Sequence, residues 1–141
     1  MSEVEQQPDA DPRVGTSVLH RRYVPRSEAH YAGKLVDGAY VLRLFGDVAT
    51  EMCIRTDGDE GQLVGFADVD FLEPVHTGDV IEAEAILLRV GNTSRELAFE
   101  ARVLCRAAEH MDGRRPVSDS TSHLLEEPLV VVRASGTVVV E

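Results

Sequence analysis

The sequence predicts an α+β domain in which one long central helix is wrapped by a curved antiparallel sheet. Residues 35–55 carry apolar side chains around most of a helical circumference, which is typical of a buried helix rather than a surface one. From residue 63 onward, apolar and polar residues alternate in long runs, which is typical of strands with one face in water. The length of 141 residues suits a single domain with a single core.

Turn residues divide the rest of the chain into strands and loops. A short strand is expected at 17–25, and the glycine-containing segment 56–62 ends the helix. Four long strands follow, at residues 63–75, 79–91, 94–109 and 128–140. Gly91 and Asn92 favour a hairpin between the second and third of these, and residues 111–123 are expected to form a polar loop.

A sheet covers a helix that is apolar all round only if it curls around that helix. The remaining apolar surface of the helix, or the edge of the sheet, then has to meet another subunit. This arrangement is the hotdog fold, and it leads us to expect at least a dimer.

The composition argues against several classes of function. A net charge of −11 disfavours binding to nucleic acid or to an anionic membrane, because contacts with phosphates need a basic patch. No run approaches the roughly 20 apolar residues that span a bilayer. Cys53 and Cys105 share no metal or redox spacing with other Cys or His residues, so we expect buried thiols, a cytoplasmic location and no metal site.

The first 16 residues differ from the rest of the chain. Four of them are acidic, and the segment also carries glutamine, proline and serine, which is typical of a disordered tail. They also lack the basic start and the apolar stretch of a signal peptide. We therefore expect a disordered acidic tail at 1–16 and a single folded domain at 17–141.

Three carboxylates interrupt the predicted helix: Asp37, Asp47 and Glu51. Asp47 and Glu51 are four residues apart, and Asp37 lies about four turns before Glu51, so all three fall on nearly the same stripe. Arg43 and Arg55 extend the stripe at i, i+4 spacing, so one hypothesis is a row of salt bridges. The other is a set of carboxylates facing a ligand tunnel, whose apolar walls would raise the pKa of a carboxyl group.

A resemblance to a known family rests on three segments: HYAGKLVDGAYVLRLFGDVATEMCIRTDGDEG, DFLEPVHTGDVIEAEAILLRVGNTSRELAFEARV and VVRASGTVVV. They resemble the β-aminoacyl-CoA ammonia-lyase family, a branch of the hotdog superfamily. FLEPVHTGD indicates only the superfamily, whereas LVDGAYVLRLFGDVATE and VGNTSR are more specific to the branch. Lys34 departs from the family pattern, which has a small or amide residue there.

The resemblance implies a CoA-thioester lyase that works between two subunits. Such an enzyme reversibly eliminates ammonia from a short β-aminoacyl-CoA, such as 3-aminobutyryl-CoA, to give an enoyl-CoA. It needs no metal and no organic cofactor, and coenzyme A enters only as part of the substrate. The implied partners are a small acyl-CoA molecule and further copies of the chain, in a homodimer or a larger homo-oligomer such as a hexamer.

This elimination needs a base for the α-proton, stabilisation of the enolate-like charge on the thioester oxygen, and a group that holds the leaving amine. Asp47 is the expected base, because FGDVA resembles the helix acid of hotdog thioesterases. Glu51 is the second choice, with pairing to Arg55 as its alternative role. Asp37 is expected to cap the helix, and the resemblance suggests that it also contacts the substrate. His30 is expected to contact the amine or the carbonyl.

Gly33 and Gly38 flank the start of the predicted helix. Free backbone N–H groups and the positive end of the helix dipole would stabilise a thioester oxygen there, and glycine lets the thioester approach closely. The alternative is that both glycines only shape the turn from loop to helix.

The segment GNTSR is expected to contact coenzyme A. Asn92, Thr93 and Ser94 offer small hydrogen-bond donors, and Arg95 offers a guanidinium for a phosphate. The resemblance places these residues near the pantetheine and the nucleotide phosphates. A plain hairpin is the alternative.

Other functions share the same fold. An acyl-CoA thioesterase would use a helix carboxylate to activate water, and fold analogy does not separate it from the lyase. A non-catalytic acyl-CoA-binding protein is a further alternative, although so short and acidic a chain leaves no room for a DNA-binding or partner domain. A hydratase is less favoured, because the chain lacks an Asp-x-Asn-x-x-His arrangement.

Overall fold

The computed structural model describes residues 11–113 and 118–141, and these ranges contain seven strands and one α-helix. In chain order they are β1 (Ser17–Tyr23), β2 (Leu35–Val36), α1 (Gly38–Asp57), β3 (Gln62–Phe71), β4 (Val75–His76), β5 (Val80–Val90), β6 (Ser94–Ala107) and β7 (Ser122–Val139). Five strands form one antiparallel sheet in the order β1-β5-β6-β7-β3, and β2 pairs separately with β4. The predicted fold class, one helix against a curved antiparallel sheet, is confirmed. No helix in these ranges is long and apolar enough to cross a membrane.

One face of α1 packs against the sheet, and the opposite face is polar. The buried residues recur at helical spacing: Tyr40, Val41, Leu44, Phe45, Val48, Ala49, Met52 and Cys53. Arg43, Asp47 and Arg55 are exposed on the other face. The predicted burial around the whole circumference is therefore wrong within one chain, because apolar residues that contributed to it, such as Ile54, are exposed. The helix ends where Gly58, at a φ of 66°, donates its N–H to the Ile54 carbonyl.

Three phenylalanines join the helix to the sheet. Phe45 of α1 stacks on Phe99 of β6 with ring centroids 4.9 Å apart. Phe66 of β3 meets Phe99 edge-on at 5.7 Å. Such aromatic pairs contribute about 0.5–1.5 kcal/mol beyond the area that they bury. The core therefore lies between α1 and the inner face of the sheet.

The predicted hairpin between β5 and β6 is confirmed. Val90 of β5 lies opposite Arg95 of β6, and the Gly91 N–H donates to the Ser94 carbonyl at 2.8 Å. The tight turn sets the register of the first residue pairs, and the register shifts between Leu87 and Arg89.

The starts of two elements differ from the prediction by three or more residues, and strand pairing decides both. The helix begins at Gly38 rather than at residue 35, because Leu35 and Val36 form β2 and pair with β4. Strand β7 begins at Ser122 rather than at residue 128, because its first residues pair with the end of β6, where Ser122 lies opposite Ala107. A polar stretch can extend a strand when the neighbouring strand offers unpaired backbone groups.

The segment directly before β1 is part of the fold. The Gly15 N–H donates to the Leu87 carbonyl at 2.8 Å, and the Leu87 N–H donates to the Thr16 carbonyl at 2.9 Å. The predicted disordered tail at 1–16 is therefore too long at its C-terminal end, because its last residues add to the edge of the sheet beside β5. Its first ten residues lie outside the described residues.

Both cysteines are free thiols. Cys53 is buried on α1, and Cys105 is half-buried on β6. Burial raises the pKa of the Cys53 thiol. A thiol held in its neutral form is a poor nucleophile, so Cys53 acts as a packing residue.

A buried ion pair anchors the turn between β4 and β5. The Asp79 carboxylate, which is fully buried, accepts hydrogen bonds from Nε and Nη2 of Arg106, both at 2.9 Å. It also accepts from the His76 N–H at 2.9 Å, and Arg106 Nη2 donates to the Pro74 carbonyl at 3.0 Å. Gly78 turns the chain at a φ of 88°. The HTGD part of the superfamily motif thus has a structural role.

Replacing Asp79 by asparagine is expected to lower the free energy of unfolding by about 3 kcal/mol, because the Arg106 guanidinium stays buried without its counter-charge. Chemical denaturation of the variant and the unmodified protein measures this difference. The exposed pair of Arg89 and Glu96 provides the control, and Glu96→Gln is expected to lose less than about 1 kcal/mol. Equal losses in the two variants would show that the buried pair is no anchor.

Candidate active site

A cavity of about 450 Å³ opens at the N-terminal end of α1. Its walls come from the loop before β2, the start of α1, the connection between β3 and β4, and β7. The lining residues are Tyr31, Val36, Asp37, Gly38, Ala39, Val41, Phe71, Glu73, Pro74, Val75 and Val132. Most of them are apolar, and the charged ones are two carboxylates, Asp37 and Glu73.

Strand pairing positions one wall of this cavity. Val36 of β2 lies opposite Val75 of β4, and both side chains are buried. The pairing ends at Val36, so the next two residues, Asp37 and Gly38, lead directly into α1. The start of the helix is thereby held against the connection that carries Glu73.

Gly33 shapes the turn that precedes β2. Its φ of 76° and the φ of 64° at Lys34 both lie in the left-handed region, which glycine adopts without strain. Gly33 is not among the residues that line the cavity. In the structure it therefore has the turn-forming role that the sequence offered as the alternative to ligand binding.

The start of α1 brings backbone donors to the cavity. The first N–H groups of a helix have no acceptor within the helix, and Gly38 and Ala39 both line the cavity. The positive end of the helix dipole adds to the attraction for negative charge. Asp37 occupies the N-cap position, but its side chain makes no capping hydrogen bond. Its carboxylate is therefore available to the cavity.

Gly38 is closely covered by Phe71, the last residue of β3. A Cβ atom placed on Gly38 would lie 2.4 Å from Cε1 and 2.7 Å from Cζ of the Phe71 ring. The ring is nevertheless 58% exposed. Glycine at this position thus lets an aromatic side chain lie over the helix start at the mouth of the cavity.

Glu73 is a candidate site residue that the sequence reasoning missed. Within residues 11–113 and 118–141, neither Glu73 nor Asp37 forms an ion pair. The available signal was an acidic residue directly before Pro74 at the end of a predicted strand, a position where the chain leaves the sheet. Periodicity along the helix carries no information about this residue.

Asp47 and Glu51 lie on the polar face of α1, outside the cavity. The Asp47 side chain is 53% exposed and pairs with Arg22 of β1 at 3.8 Å. One oxygen of Glu51 is 2.7 Å from Nε2 of His20, and the other accepts from Nε of Arg55 at 2.7 Å. These contacts lower the pKa of Glu51, whereas the tunnel hypothesis requires a raised pKa. Within one chain, the two carboxylates belong to a row of polar contacts and salt bridges, because His20 and Arg22 of β1 reach them.

His30 lies beside the cavity rather than among its lining residues. Its ring meets the ring of Tyr31 edge-on, with centroids 4.6 Å apart, and Tyr31 lines the cavity. The His30 N–H donates to the Leu35 carbonyl at 2.8 Å. The predicted contact of His30 with an amine or a carbonyl stays a prediction.

The segment Asn92–Arg95 lies at the opposite end of α1. Arg95 is bound to Asp57, the last residue of the helix, through Nη2 at 2.7 Å and Nε at 3.1 Å. Its Nη1 donates to the carbonyls of Gly91 and Ser94. A helix of 20 residues spans roughly 30 Å, so the hairpin and the cavity are far apart within one chain.

The guanidinium of Arg95 therefore has a structural role that the sequence reasoning did not anticipate. The Arg95 side chain is only 6% exposed, and the hydrogen bond from Arg95 lowers the pKa of Asp57. A phosphate would have to displace this carboxylate. Asn92 and Thr93 are exposed, and Ser94 is half-buried, so these three remain the accessible part of the predicted CoA contact.

Comparison with known proteins identifies the family. A model of the thioesterase superfamily matches residues 33–104. The chain belongs to the thioesterase superfamily. A 3-aminobutyryl-CoA ammonia lyase from Acetoanaerobium sticklandii is 50% identical over 113 residues, which are 80% of this chain and 85% of the relative. The resemblance of this superfamily member to the β-aminoacyl-CoA ammonia-lyase family is thus confirmed.

Solved structures agree with this membership of the superfamily. The β-alanyl-CoA:ammonia lyase from Clostridium propionicum matches with a TM-score of 0.82 and 31% identity, over 90% of this chain and 86% of that one. A hexameric thioesterase from Yersinia pestis matches with a TM-score of 0.69 and 16% identity, over 90% of this chain and 88% of that one. The second likeness shows the shared hotdog fold alone.

This thioesterase-superfamily chain brings together only part of the predicted site. Asp37 and Gly38 line the cavity, and the structure adds Glu73, Phe71 and Tyr31 to them. The other predicted residues lie elsewhere in the chain: Asp47 and Glu51 on the polar helix face, Gly33 and His30 in the preceding loop, and Asn92, Thr93, Ser94 and Arg95 at the far end of α1. Among the described residues, no group of three or more His, Cys, Asp and Glu side chains could hold a metal ion.

Replacing Asp57 by asparagine is expected to lower the free energy of unfolding by about 3 kcal/mol at pH 7, because the buried Arg95 loses its counter-charge. The lowered pKa of Asp57 means that its contribution is present above the carboxyl pKa of the unfolded chain and is lost as the pH falls through the lower folded value. The stability difference between variant and unmodified protein should therefore shrink below about pH 4. Denaturation curves between pH 2 and pH 7 measure it. A constant difference across this range would contradict the ion-pair interpretation.

Proposed function

We propose that the protein is a CoA-thioester lyase that reversibly eliminates ammonia from a short β-aminoacyl-CoA, such as 3-aminobutyryl-CoA, to give an enoyl-CoA. The observation that carries this proposal is a cavity in which two carboxylates, Asp37 and Glu73, accompany the start of a helix. The 50% identity to a 3-aminobutyryl-CoA ammonia lyase supports the choice of substrate class.

The thioester oxygen binds at the start of α1. Negative charge develops on this oxygen as the α-proton leaves, and the N–H groups of Gly38 and Ala39 stabilise it together with the helix dipole. These donors are fixed before the substrate arrives, so the developing charge causes little reorganisation.

Asp37 acts as the base in this proposal. It directly precedes Gly38, so a thioester oxygen on the helix start brings the α-carbon close to this carboxylate. The side chain makes no capping hydrogen bond that would have to be broken first. Asp37 takes the α-proton, and the electron pair of the C–H bond becomes the α,β double bond as the C–N bond breaks.

Glu73 holds the leaving amine. The β-amino group is protonated near neutral pH, and a carboxylate without an ion-pair partner attracts it. The nitrogen leaves as ammonia and then accepts the proton that Asp37 removed, so the products are enoyl-CoA and ammonium. In the reverse direction, ammonia adds to the β-carbon and Asp37 returns the proton to the α-carbon.

The proposed reaction needs no metal and no organic cofactor, since coenzyme A is part of the substrate. Proton transfer and charge stabilisation by the groups above account for every bond that changes. We also propose the cytoplasm as the location, because both cysteines are free thiols and the cytosol keeps thiols reduced.

The proposed working unit is a homo-oligomer joined through β3. This strand forms one edge of the sheet, and Val64 and Phe71 on it are both 58% exposed. An uncovered apolar edge strand of ten residues invites pairing with another strand. Phe71 also lines the cavity, so a second copy on β3 would border the proposed site. The hexameric assembly of a thioesterase with the same fold supports further association.

The protein is expected to convert crotonyl-CoA and ammonia into an aminoacyl-CoA, and to do so equally after dialysis against a chelator. Asp37→Asn is expected to lower kcat at least 100-fold, because an amide does not accept the α-proton. Glu73→Gln is expected mainly to raise the KM for the aminoacyl-CoA, because the ammonium loses its counter-charge. Mass spectrometry of the products and initial rates in both directions measure these effects.

Glu126→Gln, an exposed change on β7 outside the cavity lining, serves as the matched control and should leave both constants unchanged. An inactive Asp47→Asn variant together with an active Asp37→Asn variant would show that Asp47 is the base, as the sequence predicts. Release of free CoA without an aminoacyl product would favour the thioesterase, and binding without turnover would favour the acyl-CoA-binding alternative.

Light scattering at micromolar concentration is expected to give a dimer or a larger oligomer. Val64→Asp is expected to weaken the assembly, because it places a charge in the proposed β3 interface. Leu19→Asp makes the same kind of change on β1, the opposite edge of the sheet, and should leave the assembly intact. A stable monomer of the unmodified protein would rule out a site shared between subunits.

A further inference from the structure

We propose that Phe71 determines which substituents on the β-carbon the cavity accepts. This inference rests on the proposed lyase function and adds the residue that selects among its substrates. It starts from the contact between Phe71 and Gly38, which the elimination chemistry itself does not require.

The ring of Phe71 lies against residue 38 because that residue has no side chain. A Cβ atom there would lie 2.4 Å from the ring, well inside van der Waals contact. Residue 38 is also the first residue of α1, where the thioester oxygen is proposed to bind. Phe71 therefore lies beside the part of the backbone where the acyl group is proposed to bind.

Four of the other apolar walls are parts of the core, whereas Tyr31 and Pro74 are exposed. Val36, Val41, Val75 and Val132 are at most 8% exposed and belong to the main hydrophobic cluster. A change in any of them alters the packing of the domain. More than half of the surface of Phe71 is exposed, so a change in the size of this side chain costs little in folding.

The chemistry of the substrate places the β-substituent beside this ring. In a β-aminoacyl thioester, the β-carbon is two carbons from the carbonyl that binds at the helix start. Its amine is held by Glu73, which is two residues from Phe71 in the chain. The remaining substituent on the β-carbon then points to the apolar part of the same wall, the face of the Phe71 ring.

The similar proteins are named for substrates that differ at this carbon. A 3-aminobutyryl group carries a methyl on the β-carbon, where a β-alanyl group carries only hydrogen. A pocket that distinguishes such groups needs a wall at the β-carbon, and one methylene in an apolar pocket changes kcat/KM by roughly 10- to 200-fold.

The test compares ammonia addition to acrylyl-CoA, crotonyl-CoA and 2-hexenoyl-CoA, whose β-carbons carry hydrogen, methyl and propyl. Phe71→Ala is expected to raise the ratio of kcat/KM for hexenoyl-CoA over crotonyl-CoA at least about tenfold. Phe71→Leu should give an intermediate ratio and covers the case that the alanine variant does not fold. Circular dichroism and denaturation check the fold of each variant.

Leu72→Ala is the matched control. This neighbouring side chain is also exposed but does not line the cavity, so the ratio should stay at the unmodified value. An unmodified protein that aminates none of the three thioesters would overturn the proposed function. An active protein whose Phe71 variants keep the original ratio would leave the function intact and overturn the role of Phe71.

Discussion

The candidate site depends on one buried ion pair, neither residue of which lines the cavity. Asp79 and Arg106 are bonded through two hydrogen bonds, and between them they also hold the backbone of His76 and Pro74. These bonds fix β4, which pairs with β2. One residue after β2, the chain enters α1 at Gly38. The cavity wall and the helix start are thus held by a single connected set of contacts. A site that needs donors and carboxylates in fixed positions gains its rigidity from this support.

Three pairs of acidic residues in this chain differ in their burial and in their ion-pair partners. Asp79 is buried and Asp57 is half-buried, and both are neutralised by bidentate arginines, Arg106 and Arg95, the geometry for which a guanidinium is suited. Asp47 and Glu51 sit on an exposed face among cationic partners, where screening makes each pair weak. Asp37 and Glu73 line an apolar cavity, and neither forms an ion pair within the described residues. Because they line the cavity, these two carboxylates are placed to bind a charged ligand or to move a proton there.

Sequence reasoning reached the fold but only part of the site, and the reason is the range of the interactions. The helix and the long strands follow from periodicity, which is local, so α1, β5 and β6 were predictable within a few residues, whereas β7 begins at Ser122 rather than at residue 128. Helical spacing correctly put Asp47 and Glu51 on one face, but it does not say what that face meets. The answer came from His20 and Arg22 on β1, far away in the chain. Glu73 was missed for the same reason, since only the folded chain brings it to the start of α1.

The contrast between backbone donors, which the fold fixes, and side chains at the edge of the cavity explains how one fold supports different reactions. The helix start offers donors to a thioester oxygen in any chain with this architecture, so it favours acyl-CoA chemistry without selecting hydrolysis or elimination. The choice between hydrolysis and elimination must come from side chains on the rim of the cavity, meaning those that line it without belonging to the core. Changes in such side chains leave the core intact. In this chain the rim supplies Asp37 before the helix and Glu73 after β3. A hydrolase needs one carboxylate and an ordered water, whereas elimination of an amine needs one carboxylate for a proton and another for an ammonium. A pair of unpartnered carboxylates at one helix start therefore favours the lyase.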